Sequence, residues 1–144
     1  MCKQLKVLAS EAIRSVKPFM SAKQLSGLIE NCAGRKGEFY MRSLVDLRVL
    51  VTSLPRLEDS PVNKCQVVYL RYLCGVTHWY VAGVSADLLP GGRMVRAFVD
   101  NHTRQLQDCG LILLPGLFRF GVDTTLDLFF EPCPLASLEA RVSA

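Results

Sequence analysis

Val67-Val68-Tyr69-Leu70-Arg71-Tyr72-Leu73-Cys74-Gly75-Val76-Thr77-His78-Trp79-Tyr80-Val81 is the stretch on which the fold turns. Its residues are β-branched or aromatic at most positions, the composition of strands that pack on a half-buried pleated surface. Gly75-Val76-Thr77 divides it into two short runs, so the pair predicts a β-hairpin.

Downstream, the same strand character recurs at intervals. Met94 to Val99 predicts a third strand after the loop Asp87-Leu88-Leu89-Pro90-Gly91-Gly92. Gly110 to Leu114 predicts a fourth, entered through Asp100-Asn101-His102-Thr103, and Thr125 to Phe130 a fifth. Pro132 and Pro134 are expected to end the sheet, with a short helix over Leu135 to Val142.

Upstream, the period is helical. Leu5, Leu8, Ala12 and Val16 recur at three- and four-residue steps and predict a helix ending before Pro18. Ser21 with Gln24 has the form of a capping box, and Ala22, Leu25, Leu28, Ile29 and Cys32 continue a second stripe until Gly34. Ser43 with Asp46 predicts a third helix to about Ser53 along Leu44, Leu47, Val51 and Leu54, although Val49-Leu50-Val51-Thr52 has strand character. The expected fold class is therefore α+β, with N-terminal helices packed on one face of a four- to five-stranded antiparallel meander. One domain over 1–144 is expected, with a helical part at 1–60 and a sheet part at 65–137.

The chain has 144 residues, half of them apolar, and a mean hydropathy of +0.24. Disorder needs low hydrophobicity and high net charge, so this composition specifies a folded chain. The most apolar stretch, Gly110 to Phe120, is eleven residues long and interrupted by Pro115 and Arg119, well short of the roughly 20 residues of a membrane helix. Met1-Cys2-Lys3-Gln4-Leu5-Lys6 leads into a charged amphipathic pattern, unlike a secretory signal, and a cytoplasmic location is expected.

Charge is unevenly divided. Residues 1–64 carry 11 Lys+Arg and 6 Asp+Glu, net +5, whereas residues 65–144 carry 6 and 7, net −1. Lys3, Lys6, Arg14, Lys17, Lys23, Arg35, Lys36 and Arg42 are candidate contacts to an anionic partner, weighed against an ordinary solvated helix face. The sequence pI of about 8.8 is modest for a dedicated nucleic-acid binder.

The remaining candidates are weaker. His78 and Trp79 could contribute a recognition surface with Trp79 as anchor, against the reading of an ordinary strand with one face in the core. Asp100 beside His102 could supply a general base, but Asp-Asn-His-Thr is also turn chemistry. Asp123 and Asp127 could share one strand face, where paired carboxylates bind metal or guard an edge. Gly91-Gly92-Arg93 is too short for a phosphate loop. The six cysteines, Cys2, Cys32, Cys65, Cys74, Cys109 and Cys133, include no C-x-x-C and read as small hydrophobes, Cys74 near His78 being the one candidate thiol. No metal or cofactor is expected.

Leu70-Arg71-Tyr72-Leu73, the glycine hairpin and Trp79-Tyr80-Val81 resemble the core block of a family of small proteins of unknown function carried on plasmids and phages, with its L-R-Y-F stretch and W-Y-V-T-E strand. Ala97-Phe98-Val99 is similar to the family's F-G-Y or F-G-L strand, and Asp108 to Leu117 to its E-L-G-Y-x-S-L-x-E-L segment. Leu126 to Leu135 is similar to its R-D-L-x-F-x-P-x-P-L close, so the resemblance covers residues 65–137. The strand acid after the tryptophan is replaced by Ala82-Gly83-Val84, and the second acid survives as Asp108.

The resemblance implies a mobile genetic element. With no catalytic constellation legible, the expected function is a non-enzymatic accessory protein that binds a host protein or nucleoprotein complex, such as a CRISPR or restriction complex. Direct nucleic-acid binding by the basic helices, and an enzyme using His102 with Asp100 or Cys74, are the alternatives. An exposed apolar patch on the sheet would favour a homodimer.

Overall fold

The computed structural model describes residues 3–57, 66–85, 92–118 and 124–144. The fold class is α+β. The chain divides into two compact units, Met1–Ser53 and Leu54–Ala144.

The first unit is helical, with α1 at Lys3–Val16, α2 at Ala22–Cys32 and α3 at Gly37–Thr52. α1 gives way at Pro18 to a 3-10 turn, Lys17–Phe19, that buries Phe19. Ala12 and Val16 of the expected α1 stripe are buried and Leu5 is half-buried, but Leu8 is exposed and Ala9 is buried in its place. The Ser21 cap is present, its Oγ accepting the Gln24 backbone N–H at 3.1 Å, which satisfies one orphan donor of the first turn. Leu25 and Leu28 are buried, whereas Ala22 and Ile29 of the expected stripe are exposed.

α3 starts six residues before Ser43. Met41 lies one turn ahead of Leu44 on the stripe Met41, Leu44, Leu47, Val51, all buried, while Glu38 sits in the first turn, where a negative charge suits the helix dipole. Ser43 is interior and donates from Oγ to the Phe39 carbonyl at 2.9 Å. Burial of the stripe overrides the strand propensity of Val49 to Thr52, with Val49 exposed to solvent.

The second unit holds β1 at Val67–Val68, β2 at Leu70–Cys74, β3 at Thr77–Val84, β4 at Met94–Asp100, β5 at Leu106–Leu113, β6 at Thr124–Leu126 and β7 at Cys133–Pro134. Helix α4, Leu135–Ser143, follows directly. β2 to β5 form the expected antiparallel meander, but β6 returns to the far edge, giving the order β5-β4-β3-β2-β6. The β2–β3 turn places Gly75 at φ 61° between the paired Cys74 and Thr77, a conformation that costs glycine nothing.

β5 begins four residues before Gly110, and Gly110, at φ 66°, lies where the β4–β5 register shifts. The last sheet strand stops at Leu126, because Asp127 turns the chain: its Oδ1 accepts the Phe129 N–H at 3.0 Å. Cys133 and Pro134 do not simply end the sheet but pair with Val68 and Val67 in a second, two-stranded sheet.

Strand alternation gives the five-stranded sheet two buried faces. One carries Tyr80, Ala82 and Phe98, covered by Leu135 and Leu138 of α4 together with Val68 and Cys133. The other carries Leu70, Tyr72, Val81 and Leu126, all nearly inaccessible, and the Tyr72 ring meets Phe118 edge-on at 5.9 Å. Burial pushes the Tyr72 phenol far above its ordinary pKa, so the group stays neutral. No helix among the described residues is long and apolar enough to cross a membrane.

Candidate functional site

Helix geometry gathers the N-terminal cations. At about 100° per residue, Lys3, Lys6 and Arg14 fall within an arc of roughly 100° on α1. All three are exposed, as is Lys17 just beyond the helix end. Arg35 and Lys36 are exposed in the loop between α2 and α3, and Lys23 is exposed on α2. Arg42 is exposed too, but its guanidinium is committed to Glu38 one turn earlier, at 2.9 Å. The cationic feature of this unit is thus the α1 arc and the Arg35-Lys36 loop.

In the sheet unit, alternation separates neighbours. His78 pairs across strands with Leu73 and Asp100, whereas Trp79 pairs with Tyr72 and Val99 on the opposite face, so the two side chains do not form one patch. Cys74 lies on the Trp79 face and His78 on the other, which removes the geometry of a Cys-His dyad.

The His78 face holds a polar cluster that linear spacing hides. Arg71 on β2 donates from Nε to Asp127 Oδ2 at 2.9 Å and lies 5.5 Å from the Phe130 ring centroid. Burial opposes the Arg71 charge, but its hydrogen bond to Asp127 and the carboxylate's charge more than offset that, and the Arg71 pKa is raised. The His78 ring meets Tyr80 at 6.5 Å and His102 at 6.4 Å, bringing together the chain's two histidines. Burial, then the Arg71 charge, lowers the His78 pKa, and burial raises that of Tyr80.

Beside this cluster opens a polar cleft of about 540 Å³, lined by Arg71, Tyr80, Asp100, Glu131 and Arg141 among others. Asp100 is engaged as a turn residue: its Oδ1 accepts the His102 N–H at 2.9 Å, and His102 takes a left-handed φ of 64°. His102 is exposed on that turn, with Nε2 donating to the Val76 carbonyl.

Two more of the candidate acids, Asp108 and Asp127, are engaged by arginines. Asp108 bonds Arg96, whose guanidinium lies 5.4 Å from the Phe98 centroid. Asp127 is held by Arg71, and Asp123 lies outside the described residues. At Gly83 a Cβ would stand 3.1 Å from the Pro55 carbonyl oxygen, leaving little room for a side chain.

Among the described residues, no group of three or more His, Cys, Asp or Glu side chains could hold a metal ion. Cys133 is buried, and Cys32, Cys74 and Cys109 are free and half-buried. Cys2, Cys65 and most of the loop at 87–92 lie outside the described residues. The chain matches no family model, no curated protein and no solved structure.

Proposed function

We propose that this chain is a non-enzymatic accessory protein of a mobile genetic element that binds a host macromolecule through its basic helical unit, the target being a defence complex of the CRISPR or restriction kind. One observation carries the binding surface: Lys3, Lys6 and Arg14 stand exposed on a single arc of α1, with Lys17 beyond it. The arc concentrates positive potential toward one side of the helix, which speeds and orients encounter with an anionic partner. The mobile-element setting rests on the likeness of residues 65–137 to the plasmid and phage family. Asp100 and His102 serve a turn and Cys74 faces away from His78, which favours binding over catalysis.

The test compares wild-type chain with Lys3→Glu/Lys6→Glu/Arg14→Glu/Lys17→Glu against purified CRISPR effector and restriction complexes and against naked duplex DNA. Binding to one complex that falls at least ~10-fold on charge reversal supports the proposal. Equal affinity for naked duplex, falling steeply with salt, would transfer the function to direct nucleic-acid binding. Failure to bind any complex would refute it.

A further inference from the structure

α1 and α2 each pack against α3, and an open groove of about 500 Å³ runs between them. Its lining is mainly apolar: Ala9 and Ile13 from α1, Ile29 from α2, and Met41 and Leu44 from α3. Ile29 remains 44% exposed, so the groove leaves a branched apolar side chain in contact with water. Lys6 stands on the α1 rim and belongs to the cationic arc, while Gly34 at the α2 end leads into Arg35 and Lys36.

The charge of the helical unit is one-sided, and the one charged side chain among the described residues lining the groove, Lys6, is a cation. Residues 3–53 carry nine Lys+Arg against four Asp+Glu, and two of the four acids, Glu11 and Glu38, are already bonded to Arg48 and Arg42. An apolar trough with Lys6 on its rim and Arg35-Lys36 following its Gly34 end is complementary to a helix with an apolar stripe flanked by carboxylates. Helix-in-groove recognition uses this arrangement, with apolar anchors at i, i+3, i+4 and i+7. A nucleic acid would satisfy the cations but leave the apolar lining wet.

We infer that the groove between α1 and α2 receives an acidic amphipathic helix of a partner protein, its apolar stripe on Ile13, Ile29 and Met41 and its carboxylates on Lys6 and the Arg35-Lys36 loop. The inference rests on the basic unit being the recognition surface and specifies the partner segment that unit takes.

The probe is a fluorescein-labelled peptide of leucine and glutamate patterned at i, i+3, i+4 and i+7, titrated into the full chain by fluorescence anisotropy. Controls are a scrambled peptide of the same composition and a labelled DNA duplex. The patterned peptide is expected to bind at least ~10-fold more tightly than the scramble, and Lys6→Glu and Ile29→Asp each to weaken it by ~10-fold. Ala33→Trp, which fills the groove from an exposed position, repeats the test should Ile29→Asp unfold. Equal affinity for the scramble, or undiminished affinity in both groove variants, overturns the inference, as does duplex binding that displaces the peptide and ignores Ile29→Asp. A groove-dependent peptide with no defence complex bound overturns the defence-complex reading and leaves this inference standing.

Discussion

Arg71 and Asp127, 56 positions apart, are joined twice: the Asp127 backbone N–H donates to the Arg71 carbonyl at 2.9 Å, and the Arg71 guanidinium donates to the Asp127 carboxylate. The first bond extends the β2–β6 ladder by one residue beyond Leu126, and the second seats Arg71 against Phe130. The Asp127 side chain is only 11% exposed, with the Arg71 guanidinium as its ion-pair partner.

Asp127→Asn leaves the half-buried guanidinium without its counter-charge and also weakens the turn bond to the Phe129 N–H. The expected loss is about 1–3 kcal/mol. Urea unfolding followed by Trp79 fluorescence measures it. In a double-mutant cycle, Arg71→Met/Asp127→Leu should cost less than the two single changes summed, and strict additivity would show that the pair is not coupled.

Gly75→Ala places a Cβ on a residue at φ 61° and should cost about 1 kcal/mol in thermal unfolding. Gly116→Ala is the control, since a Cβ there meets nothing within 4 Å and φ is not positive; a shift within ~0.5 kcal/mol is expected.

In the helical unit, Leu44 is 1% exposed and Val49 62% exposed on the same helix. Leu44→Ala should cost about 2–5 kcal/mol by loss of burial and a residual cavity. Val49→Ala should change stability by less than ~0.5 kcal/mol. Ser21→Ala removes the α2 cap at a cost of about 1 kcal/mol. Far-ultraviolet circular dichroism during urea titration ranks the three, and a Val49→Ala loss as large as that of Leu44→Ala would contradict the placement of α3.

His78 faces Arg71, Asp100, His102 and Asp127, and the net effect of burial and these charges lowers its pKa. The unfolded chain, with histidine near its ordinary value of about 6.5, therefore binds the proton more readily than the folded one. His78 costs no stability above that pH. Its penalty grows as pH falls through about 6.5 and levels off below the folded pKa. The urea midpoint should drop between neutral and mildly acidic pH, and His78→Phe should flatten that drop; an unchanged slope in the variant would show that another group controls it.

Local chemistry was legible wherever it acts within a few residues. Pro18 ends α1, Ser21 caps α2, Gly75 turns the hairpin and Leu135 opens α4, because each effect depends on dihedrals and hydrogen bonds between near neighbours. The early start of α3 also had a signal, Met41 one turn before Leu44, which the capping pattern at Ser43 outweighed. The cations were identifiable by type, and a helical wheel drawn from α1 places three of them on one arc.

Pairing between distant segments was not legible. The return of β6 to β2 and the pairing of β7 with β1 depend on hydrophobic burial and backbone hydrogen bonds contributed by residues more than 40 positions apart. Strand composition reports that a segment wants a partner, without saying which. The same holds for the polar cluster: strand alternation sets His78 against Trp79, but the meeting of His78 with His102 and of Arg71 with Asp127 follows from the sheet register. The groove belongs to this second class as well, because Ile29 looked like a core position in the α2 stripe until the packing of α1 and α2 on α3 left it facing water. Amino-acid order thus specified which segments become helix or strand through short-range sterics and capping, while side-chain neighbours, the strand order and the open groove arose when those segments buried their apolar faces against one another.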